Sequence, residues 1–260
     1  MRASSMLTAL ATAAVCMVPL AGVQAKDEAL AKAIAAPHRS ANFVARDSVR
    51  KPQEVLEFIG VKPTQTVVEI SPGGGYWTEV LAPYLHDKGT YYTAISPRAA
   101  ENWQKKLDGN KELYGKVQVI DMSKGEVAPA GSADVVVTFR NVHNWMSQGT
   151  AEQVFASFNK ALKPGGILAI EEHRASADQP QDPKAANGYV REDYTIALAE
   201  KAGFKLVSRS EILANPKDTK DHPKGVWTLP PTLALGDQDR AKYQAIGEAD
   251  NFLLKFQKAQ

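Results

Sequence analysis

The sequence predicts an α/β fold built on a doubly wound, Rossmann-like and mostly parallel sheet. Five short apolar runs alternate with helical segments between residues 66 and 171. Such alternation is typical of parallel strands whose two faces are covered by helices. The run from Ala133 to Phe139 is almost entirely apolar, as expected for a strand buried on both faces. Two later runs predict an antiparallel pair at the end of the sheet.

The composition excludes several classes of protein. The chain has 260 residues, of which 44% are hydrophobic and 23% are charged, and its mean hydropathy is −0.30. These values exclude a disordered chain and a multi-span membrane protein. The formal net charge of only +2 gives no sign of an extended basic surface, so we predict no nucleic-acid partner.

Residues 1–25 are typical of a secretory signal peptide. Arg2 gives a positive start, no charged residue follows from Ala3 to Ala25, and small residues precede a predicted cleavage after Ala25. We therefore expect a periplasmic or secreted protein with no stable membrane insertion after cleavage. The alternative is an uncleaved anchor, because the uncharged stretch is long enough to span a bilayer.

The only cysteine, Cys16, falls within this leading segment. The mature chain would therefore contain none, which excludes disulfides, thiolate catalysis and cysteine-ligated zinc. The remaining chain is long enough to build a core without covalent cross-links.

Residues 26–60 are predicted to form a helical strap ahead of the sheet. The strap comprises an Ala-rich helix over 26–36, a charged stretch over 38–51, and a helix from Pro52 to Ile59 that ends at Gly60. Proline at the start of a helix and glycine at its end are typical of these positions.

Residues 61–260 form the predicted main domain, in which strands and helices alternate. The predicted strands are 66–70, 90–95, 117–120, 133–139 and 167–171, and the helices between them are 76–85, 98–107 and 150–162. A Lys-Pro-Gly-Gly turn at 163–166 precedes the fifth strand.

The last third of the chain is predicted to complete the sheet. A polar loop over 173–190 is a candidate lid because it is longer than a usual connection. A helix follows from Glu192 to Lys201, and the runs Phe204 to Ile212 and Asn251 to Lys258 form the antiparallel pair. A Pro-rich insertion at about 214–236 lies between them.

A glycine-rich turn joins the first predicted strand to the following helix. Residues 69–75 read Glu-Ile-Ser-Pro-Gly-Gly-Gly. Glycines in such a turn let backbone N–H groups approach an anionic ligand, and the helix start adds a favourable dipole. The alternative is a tight turn without a ligand, because a Gly-rich turn alone is a weak signal.

These features resemble the class I S-adenosylmethionine-dependent methyltransferases. The resemblance rests on the loop at 69–75, Asp121 ending the third strand, Asp134 opening the fourth, and the Leu-Lys-Pro-Gly-Gly turn at 162–166. It covers nearly the whole mature chain. The resemblance implies a seven-stranded sheet with the last strand antiparallel, and S-adenosylmethionine as the cofactor.

Within that family the sequence is most similar to a group of bacterial exported proteins regarded as predicted methyltransferases. Four segments are similar to those proteins: Arg-Asn-Val-His-Asn-Trp at 140–145, Gly-Tyr-Val-Arg-Glu-Asp at 188–193, the Pro-rich stretch at 215–231 and the ending at 246–250.

The resemblance also implies a set of cofactor-binding residues. The backbone of Gly73, Gly74 and Gly75 would face the methionyl part of the cofactor. Glu69 would lie near its amino group, and Asp121 would hydrogen-bond the adenine amine. The alternatives are a strand-end carboxylate for Glu69 and a helix cap for Asp121.

Two positions depart from the family pattern. Ser71 stands where the loop usually has its first glycine, and Ala94 lies nearest the position of the acidic residue that accepts the ribose hydroxyls. Loss of that charge-assisted hydrogen bond would cost about 1.5–3 kcal/mol, or roughly ten- to a hundredfold in affinity. Ser96 is the candidate replacement, and we include Ser71 and Ser96 in the predicted cofactor site.

A second group of candidate residues follows the fourth strand. His143 is the candidate general base, needed only if the acceptor must lose a proton. Asn144 and Trp145 are candidates for positioning the substrate, because methyl transfer depends on alignment. The alternative is a structural His143 that is hydrogen-bonded to a backbone carbonyl.

Two glutamates end the neighbouring fifth strand. Glu171 and Glu172 point to opposite faces, so only one can face the site, and we assign the catalytic carboxylate to Glu172. An alternative is a divalent metal held by His143, His173, His222 and one glutamate. No short His spacing supports that alternative, so no metal is predicted.

Two further segments border the predicted site. Tyr189, Arg191 and Glu192 either close the pocket or serve as an ordinary cap and surface charges. Trp227 and Pro230 are expected to pin the insertion to the domain, where it acts as a structural flap or shapes substrate access.

The sequence thus predicts a methyltransferase that transfers a methyl group from S-adenosylmethionine to a small-molecule or envelope acceptor. One alternative is an exported, non-catalytic binding module, favoured by Ala94 and by the cytoplasmic origin of the cofactor. The other is a metal-dependent enzyme that uses the His and Glu cluster. The fold alone does not decide among them.

Overall fold

The computed structural model describes residues 27–259. The predicted signal peptide, its cleavage point and Cys16 lie outside these residues. Within the described range, no helix combines the length and apolar character needed to cross a membrane.

The first part of the described chain is helical, and helices then alternate with strands. The α-helices are α1 Glu28–Ile34, α2 Ala41–Val44, α3 Asp47–Arg50, α4 Pro52–Ile59, α5 Thr78–Leu85, α6 Ala100–Asp108, α7 Lys111–Tyr114, α8 Val142–Gln148, α9 Ala151–Ala161, α10 Glu192–Lys201 and α11 Arg240–Ile246. Short 3-10 turns occupy Pro97–Ala99 and Met122–Lys124.

The strands assemble into one mixed sheet. They are β1 Thr66–Ile70, β2 Thr90–Ile95, β3 Gln118–Asp121, β4 Ala133–Phe139, β5 Leu162–His173, β6 Phe204–Ser210, β7 Pro223–Val226 and β8 Asn251–Lys258. Seven of them form the sheet in the order β3-β2-β1-β4-β5-β8-β6. The short β7 lies in the insertion, outside this sheet.

The pairing confirms the predicted doubly wound fold. Strands β1 to β5 pair in parallel, and β8 runs antiparallel to both of its neighbours. The strand order reverses between β1 and β4. Ligands of doubly wound sheets bind beyond the carboxyl ends of the strands at such a reversal, and the glycine-rich turn leaves β1 at that point.

Each face of the sheet has its own apolar core. Alternate residues of a strand point to opposite faces. Val68 and Val136 accordingly pack into one cluster with helices α8 and α9, whereas Val67 and Val135 pack into the other cluster with α4 and α5. The first helix belongs to the second cluster through Leu30. The strap therefore shares a core with the sheet.

Hydrogen bonds attach the strap at two further points. The Ser40 backbone N–H and hydroxyl donate to the two carboxylate oxygens of Glu79 in α5, at 2.7 Å each. Arg46 donates to both carboxylate oxygens of Glu248, at 2.6 and 2.7 Å. The strap thereby covers the carboxyl edge of the sheet from one side.

The structure adds the short elements α2, α3, α7 and β7, which were not predicted, and it differs from the predicted elements in three further places. The predicted turn at 163–166 is a bulge within the longer strand β5, where the pairing jumps from Ala133↔Leu162 to Val135↔Ile167. The segment after β4 folds as α8, and α11 follows the insertion. Both helices were missed because each is only seven residues long and lacks a clear apolar period.

Candidate active site

The turn after β1 presents backbone amides at the edge of the sheet. Ser71 adopts a left-handed backbone with φ of 49°, and its N–H donates to the Ala94 carbonyl at 2.8 Å. Gly73 is also left-handed, with φ of 59°. Within residues 27–259, the N–H groups of Gly73 and Gly74 donate to no protein acceptor. Two amides are therefore available to a ligand, as the resemblance implies.

Gly75 has a different role from the other two glycines. Its N–H donates to the Pro72 carbonyl at 2.9 Å. Gly75 borders none of the three cavities described below. Its φ is 89°, and a Cβ there would lie 2.3 Å from Lys106 Cε. The cofactor contact predicted for Gly75 is therefore not supported, because its amide already closes the turn.

Two cavities meet along the carboxyl edge of the sheet. Both are bordered by Ser71, Ser96 and Asn141. The first, of about 490 Å³, also contacts Gly73, Gly74, Ile95, Trp103 and Lys106. The second, of about 470 Å³, also contacts Met122, Ser123, Asn144 and Trp145. Together they form a groove from the glycine turn past the ends of β2 and β3, which we call the edge groove.

Ala94 and Ser96 have different environments at the end of β2. Ala94 is buried within the strand and pairs with Ile70 and Ile120 on its two sides. Ser96 is the first residue after the strand and borders both cavities of the edge groove. Ser96 therefore borders the groove, whereas Ala94 is buried in the strand, and contact of Ser96 with a ribose stays a prediction.

Asp121 caps the turn that follows β3. Its Oδ1 accepts hydrogen bonds from the Ser123 N–H at 2.9 Å and the Ser123 hydroxyl at 2.7 Å. These bonds lower the pKa of Asp121. Met122 and Ser123 border the edge groove, whereas Asp121 does not. The cap alternative is thus realised, and the adenine contact of Asp121 stays a prediction.

Asn141 was not among the predicted site residues. Its Nδ2 donates to the Ile70 carbonyl at 3.1 Å and to Thr138 Oγ1 at 3.1 Å, which ties β1 to β4 at the sheet edge. It borders both cavities of the edge groove and the third cavity described next. Its position two residues after the end of a buried strand was the available sequence signal.

A third cavity of about 290 Å³ lies on the other side of the glycine turn. Ser71, Pro72, Gly73, Gly74 and Asn141 border both this cavity and the edge groove. The remaining wall contains aromatic, cationic and imidazole side chains: Phe43, Arg46, Arg50, Tyr76, Trp77, Phe139, Arg140, His143, His173 and Trp227. We call it the inner cavity.

Glu69 lies at the floor of the inner cavity. The side chain is almost fully buried. Its Oε2 accepts hydrogen bonds from Thr78 Oγ1, at 2.6 Å, and from the Tyr91 hydroxyl. Burial raises the pKa of Glu69 to about 7, against the opposing effect of these hydrogen bonds. One oxygen is thus committed to the fold, and contact of Glu69 with a cofactor amino group stays a prediction.

His143 and Glu172 form a buried pair. His143 Nδ1 lies 2.9 Å from Glu172 Oε1. Glu172 also accepts the backbone N–H groups of His143 at 3.2 Å and His173 at 2.9 Å. Burial alone would raise the pKa of Glu172, but its interactions with His143 outweigh burial and lower it. The carboxylate is therefore ionised, and His143 Nδ1 carries the proton that it donates.

The pair leaves His143 Nε2 as the free acceptor. Within the described residues this nitrogen makes no hydrogen bond, and His143 borders the inner cavity. Glu172 is fully buried and does not border the cavity. Glu172 thus lies behind His143 and orients its ring, and direct contact of Glu172 with a substrate in this cavity is not supported.

His173 lies beside His143 at the inner cavity. Their ring centres are 5.6 Å apart, and His173 Nδ1 donates to Asn251 Oδ1 at 2.7 Å. Burial lowers the pKa of His173 to about 4, so the ring is neutral at neutral pH. Metal-ligating atoms of His143, Glu172 and His173 lie within 4.8 Å of one another. Three N–H groups already occupy Glu172, which favours the positioning role over metal ligation.

His222 lies apart from these histidines. Its Nε2 is 2.9 Å from Asp218 Oδ1, and the same carboxylate accepts the Tyr189 hydroxyl at 3.0 Å. Tyr189, Arg191 and Glu192 border none of the three cavities. None of the three residues therefore closes these cavities: Tyr189 is buried in a cluster of its own, whereas Arg191 and Glu192 form ion pairs with Asp193 and Arg174.

The folding of α8 corrects the prediction for Asn144. Successive helical residues point about 100° apart, so Asn144 and Trp145 do not share the direction of His143. Both border the edge groove instead of the inner cavity. Trp145 is buried and packs edge-on against Phe158 at 5.5 Å. A catalytic contact of Asn144 beside His143 is thus not supported.

The insertion forms one wall of the inner cavity. Trp227 is 37% exposed and lies edge-on to His143, with ring centres 6.0 Å apart. Val226 and Leu229 are buried in a small cluster with Tyr189 and Tyr243. The residues that pin the insertion are therefore Val226 and Leu229, whereas Trp227 faces the cavity.

Comparisons with known proteins agree with this geometry. Residues 68–168 match a family described as "Methyltransferase domain", and no curated protein matches the chain. A SAM dependent methyltransferase from Aquifex aeolicus is 17% identical, covers 82% of this chain and 92% of its own, and has a TM-score of 0.56. The [4+2]-cyclase SpnF is 15% identical, covers 82% of this chain and 81% of its own, and also has a TM-score of 0.56.

The matched residues begin in β1 and end in β5, so they include the glycine turn, the edge groove and the His143 helix. Structures at this identity share the fold. Residues 68–168 thus match a methyltransferase domain, and the chain shares the fold of the S-adenosylmethionine-dependent methyltransferase from Aquifex aeolicus.

Proposed function

We propose that the protein is an exported S-adenosylmethionine-dependent methyltransferase that acts on a small-molecule or envelope acceptor. The observation that carries the proposal is the meeting of two sites at one turn. Ser71, Gly73 and Gly74 separate the edge groove, where the cofactor would lie, from the inner cavity, where the acceptor would lie. The composition of residues 1–25, typical of a secretory signal peptide, supports the export.

The edge groove fits the proposed cofactor on three points. Two glycine amides are unpaired in the described chain, a Cβ at Gly73 would meet no atom within 4 Å, and the groove continues from the turn to Met122 beside β3. Gly73 and Gly74 would hold the methionyl part, Ser96 the ribose, and Met122 with Ser123 the adenine.

When bound, S-adenosylmethionine supplies a methyl group on a sulfonium whose sulfur keeps the bonding electron pair as the acceptor atom takes the methyl. The chain aligns the acceptor and removes its proton. His143 Nε2 accepts that proton, and the ionised Glu172 stabilises the resulting imidazolium through the Nδ1–H bond. The aromatic walls of the inner cavity exclude water from the reacting atoms.

A labelled methyl group tests the proposal. Protein recovered from the periplasmic fraction, expected to begin at Lys26, is incubated with deuteromethyl-labelled S-adenosylmethionine and an envelope extract, and mass spectrometry follows the label. We expect labelled products and a loss of roughly 10²–10⁴-fold in rate for His143→Ala. Binding of S-adenosylhomocysteine should be unchanged in that variant.

The surface histidine His86 offers a matched control, since it borders none of the three cavities. His86→Ala should keep the wild-type rate. Full activity of His143→Ala would contradict the assigned base, and absence of labelled product from the wild type would contradict the proposed activity.

A further inference from the structure

Arg50 is a buried cation that borders the inner cavity. It is the last residue of α3, its side chain is 6% exposed, and its guanidinium carbon lies 4.5 Å above the ring of Tyr76. In the described part of the chain its side chain makes no hydrogen bond, and its Nε is completely buried. A buried Nε donor without an acceptor is costly, and the guanidinium keeps its capacity to bind an anionic ligand.

The neighbouring acid does not satisfy Arg50. Glu248 Oε2 lies 4.0 Å from Arg50 Nε, beyond hydrogen-bond reach. The carboxylate of Glu248 is already bound by Arg46 through both oxygens and by Arg140 Nη1 at 3.0 Å. One carboxylate therefore faces three guanidinium groups at the wall of the cavity.

The other acids and bases around the cavity leave this excess positive. Glu171 lies 3.8 Å from Arg140 Nε, and burial raises its pKa to about 7, so it offsets only part of the charge. Glu172 is paired with His143. Glu69 at the cavity floor also offsets only part of the charge, because burial raises its pKa to about 7. The three guanidinium groups therefore leave surplus positive charge at the cavity wall, with Arg50 as the member that has no hydrogen-bonded acid.

Much of the remaining cavity wall is aromatic. Trp77 and Phe139 stack at 4.2 Å between ring centres, and Trp227 lies edge-on to His143. Such a wall suits a flat apolar body, while Arg50 offers the forked donor geometry that matches a carboxylate or phosphate. A small molecule with both features would place its acid group at Arg50 and its body against the rings.

We propose that the methyl acceptor is a small organic acid, with a carboxylate or phosphate bound by Arg50 and an aromatic or similarly flat body in the inner cavity. This inference rests on the proposed function, because it names the substrate class of the same site.

Calorimetric titration of the wild-type protein with three matched probes tests the inference. Benzoate and phenyl phosphate carry the two acid groups on one ring, and benzamide is the uncharged counterpart. We expect at least one of the two acids to bind at least tenfold more tightly than benzamide, and comparison of the acids shows which acid group is preferred. Equal binding of all three probes, or no binding by either acid, would overturn the inference.

A variant then assigns the binding to Arg50. Arg50→Gln should weaken binding of the preferred acid by roughly ten- to a hundredfold. Arg209→Gln serves as the control, because Arg209 is an exposed residue of β6 that borders none of the three cavities. Unchanged affinity in a folded Arg50→Gln variant would overturn the assignment, and the three wild-type titrations decide the inference if that variant does not fold.

Titration with S-adenosylhomocysteine in the same samples separates this inference from the proposed function. Binding of S-adenosylhomocysteine without any preference for the acids would leave the methyltransferase in place and remove the acidic acceptor. Binding of the acids without S-adenosylhomocysteine would remove the proposed function instead.

Discussion

At the scale of single residues, the three glycines of the turn after β1 have different roles. Gly73 and Gly74 leave their amides unpaired in the described chain, whereas Gly75 uses its amide to close the turn. Glycine is required at Gly75 by its φ of 89° and by the closeness of Lys106. Gly74 has no such backbone requirement, and a Cβ there would lie 3.3 Å from the Phe43 ring.

This difference in role predicts different results for two similar substitutions. Gly75→Ala should lower the free energy of unfolding by about 1–3 kcal/mol, because a left-handed backbone is strained by a side chain. Gly74→Ala should change it by less than about 0.5 kcal/mol, but should weaken S-adenosylhomocysteine binding by crowding the amides. Urea unfolding measures the change in stability, and calorimetry measures the change in binding. Equal destabilisation by the two substitutions would contradict the different roles of Gly74 and Gly75.

Single residues also show which parts of the site could be predicted from the sequence and which could not. Glu69, Ser71, Gly73 and Ser96 were placed at the correct edge, because a turn after a buried strand fixes their position locally. Arg50 was seen only as one charge of the strap. Its role depends on packing against Tyr76 and on the distant Glu248, which no local pattern encodes.

At the scale of elements, local signals were most accurate where several of them agree. Helix α4 begins at Pro52 and ends before Gly60 as predicted, and the bounds of β1, β2, β4 and α10 were also correct. Helix α8 was not predicted, because the polar residues His143 and Asn144 interrupt its short apolar period. That error placed Asn144 beside the wrong cavity.

The strap is an element whose attachment depends on charge. Glu79 accepts hydrogen bonds from Ser40 and from Lys106 Nζ, the latter at 2.9 Å. Burial alone would raise the pKa of Glu79, but these bonds outweigh burial and lower it below its ordinary value of 4.5. A carboxylate whose pKa is lower in the folded state stabilises the fold above its unfolded pKa and loses that effect as pH falls through the folded pKa.

We therefore expect acid to loosen the strap through Glu79. The free energy of unfolding of the wild type should fall more steeply below pH 4.5 than that of Glu79→Gln, which lacks the titrating group. Urea unfolding at a series of pH values measures the slopes. Glu101→Gln is the control, because Glu101 is 81% exposed. Parallel slopes for wild type and Glu79→Gln would contradict this role.

At the scale of the whole molecule, the sheet brings together residues that are far apart in sequence. The glycine turn, α8 and the insertion meet because β1, β4 and β5 are neighbours in the sheet, and the strap adds Arg46 and Arg50 from the other side. The doubly wound order and the antiparallel last strand were predictable from alternation and resemblance. The contribution of the strap and of Trp227 was not, because it depends on how distant segments fold back over the edge.

The most direct test of the central claim, that the edge groove holds a nucleoside-bearing cofactor against the glycine amides, is calorimetric titration of the mature protein with S-adenosylhomocysteine. We predict one site with a dissociation constant well below 1 mM. Binding should be clearly weaker in Gly74→Val, which adds a branched side chain at a residue bordering the groove, but not in Ala214→Val, an exposed position outside the three cavities. Absent or millimolar binding to the wild type, or equal binding by Gly74→Val, would contradict the claim.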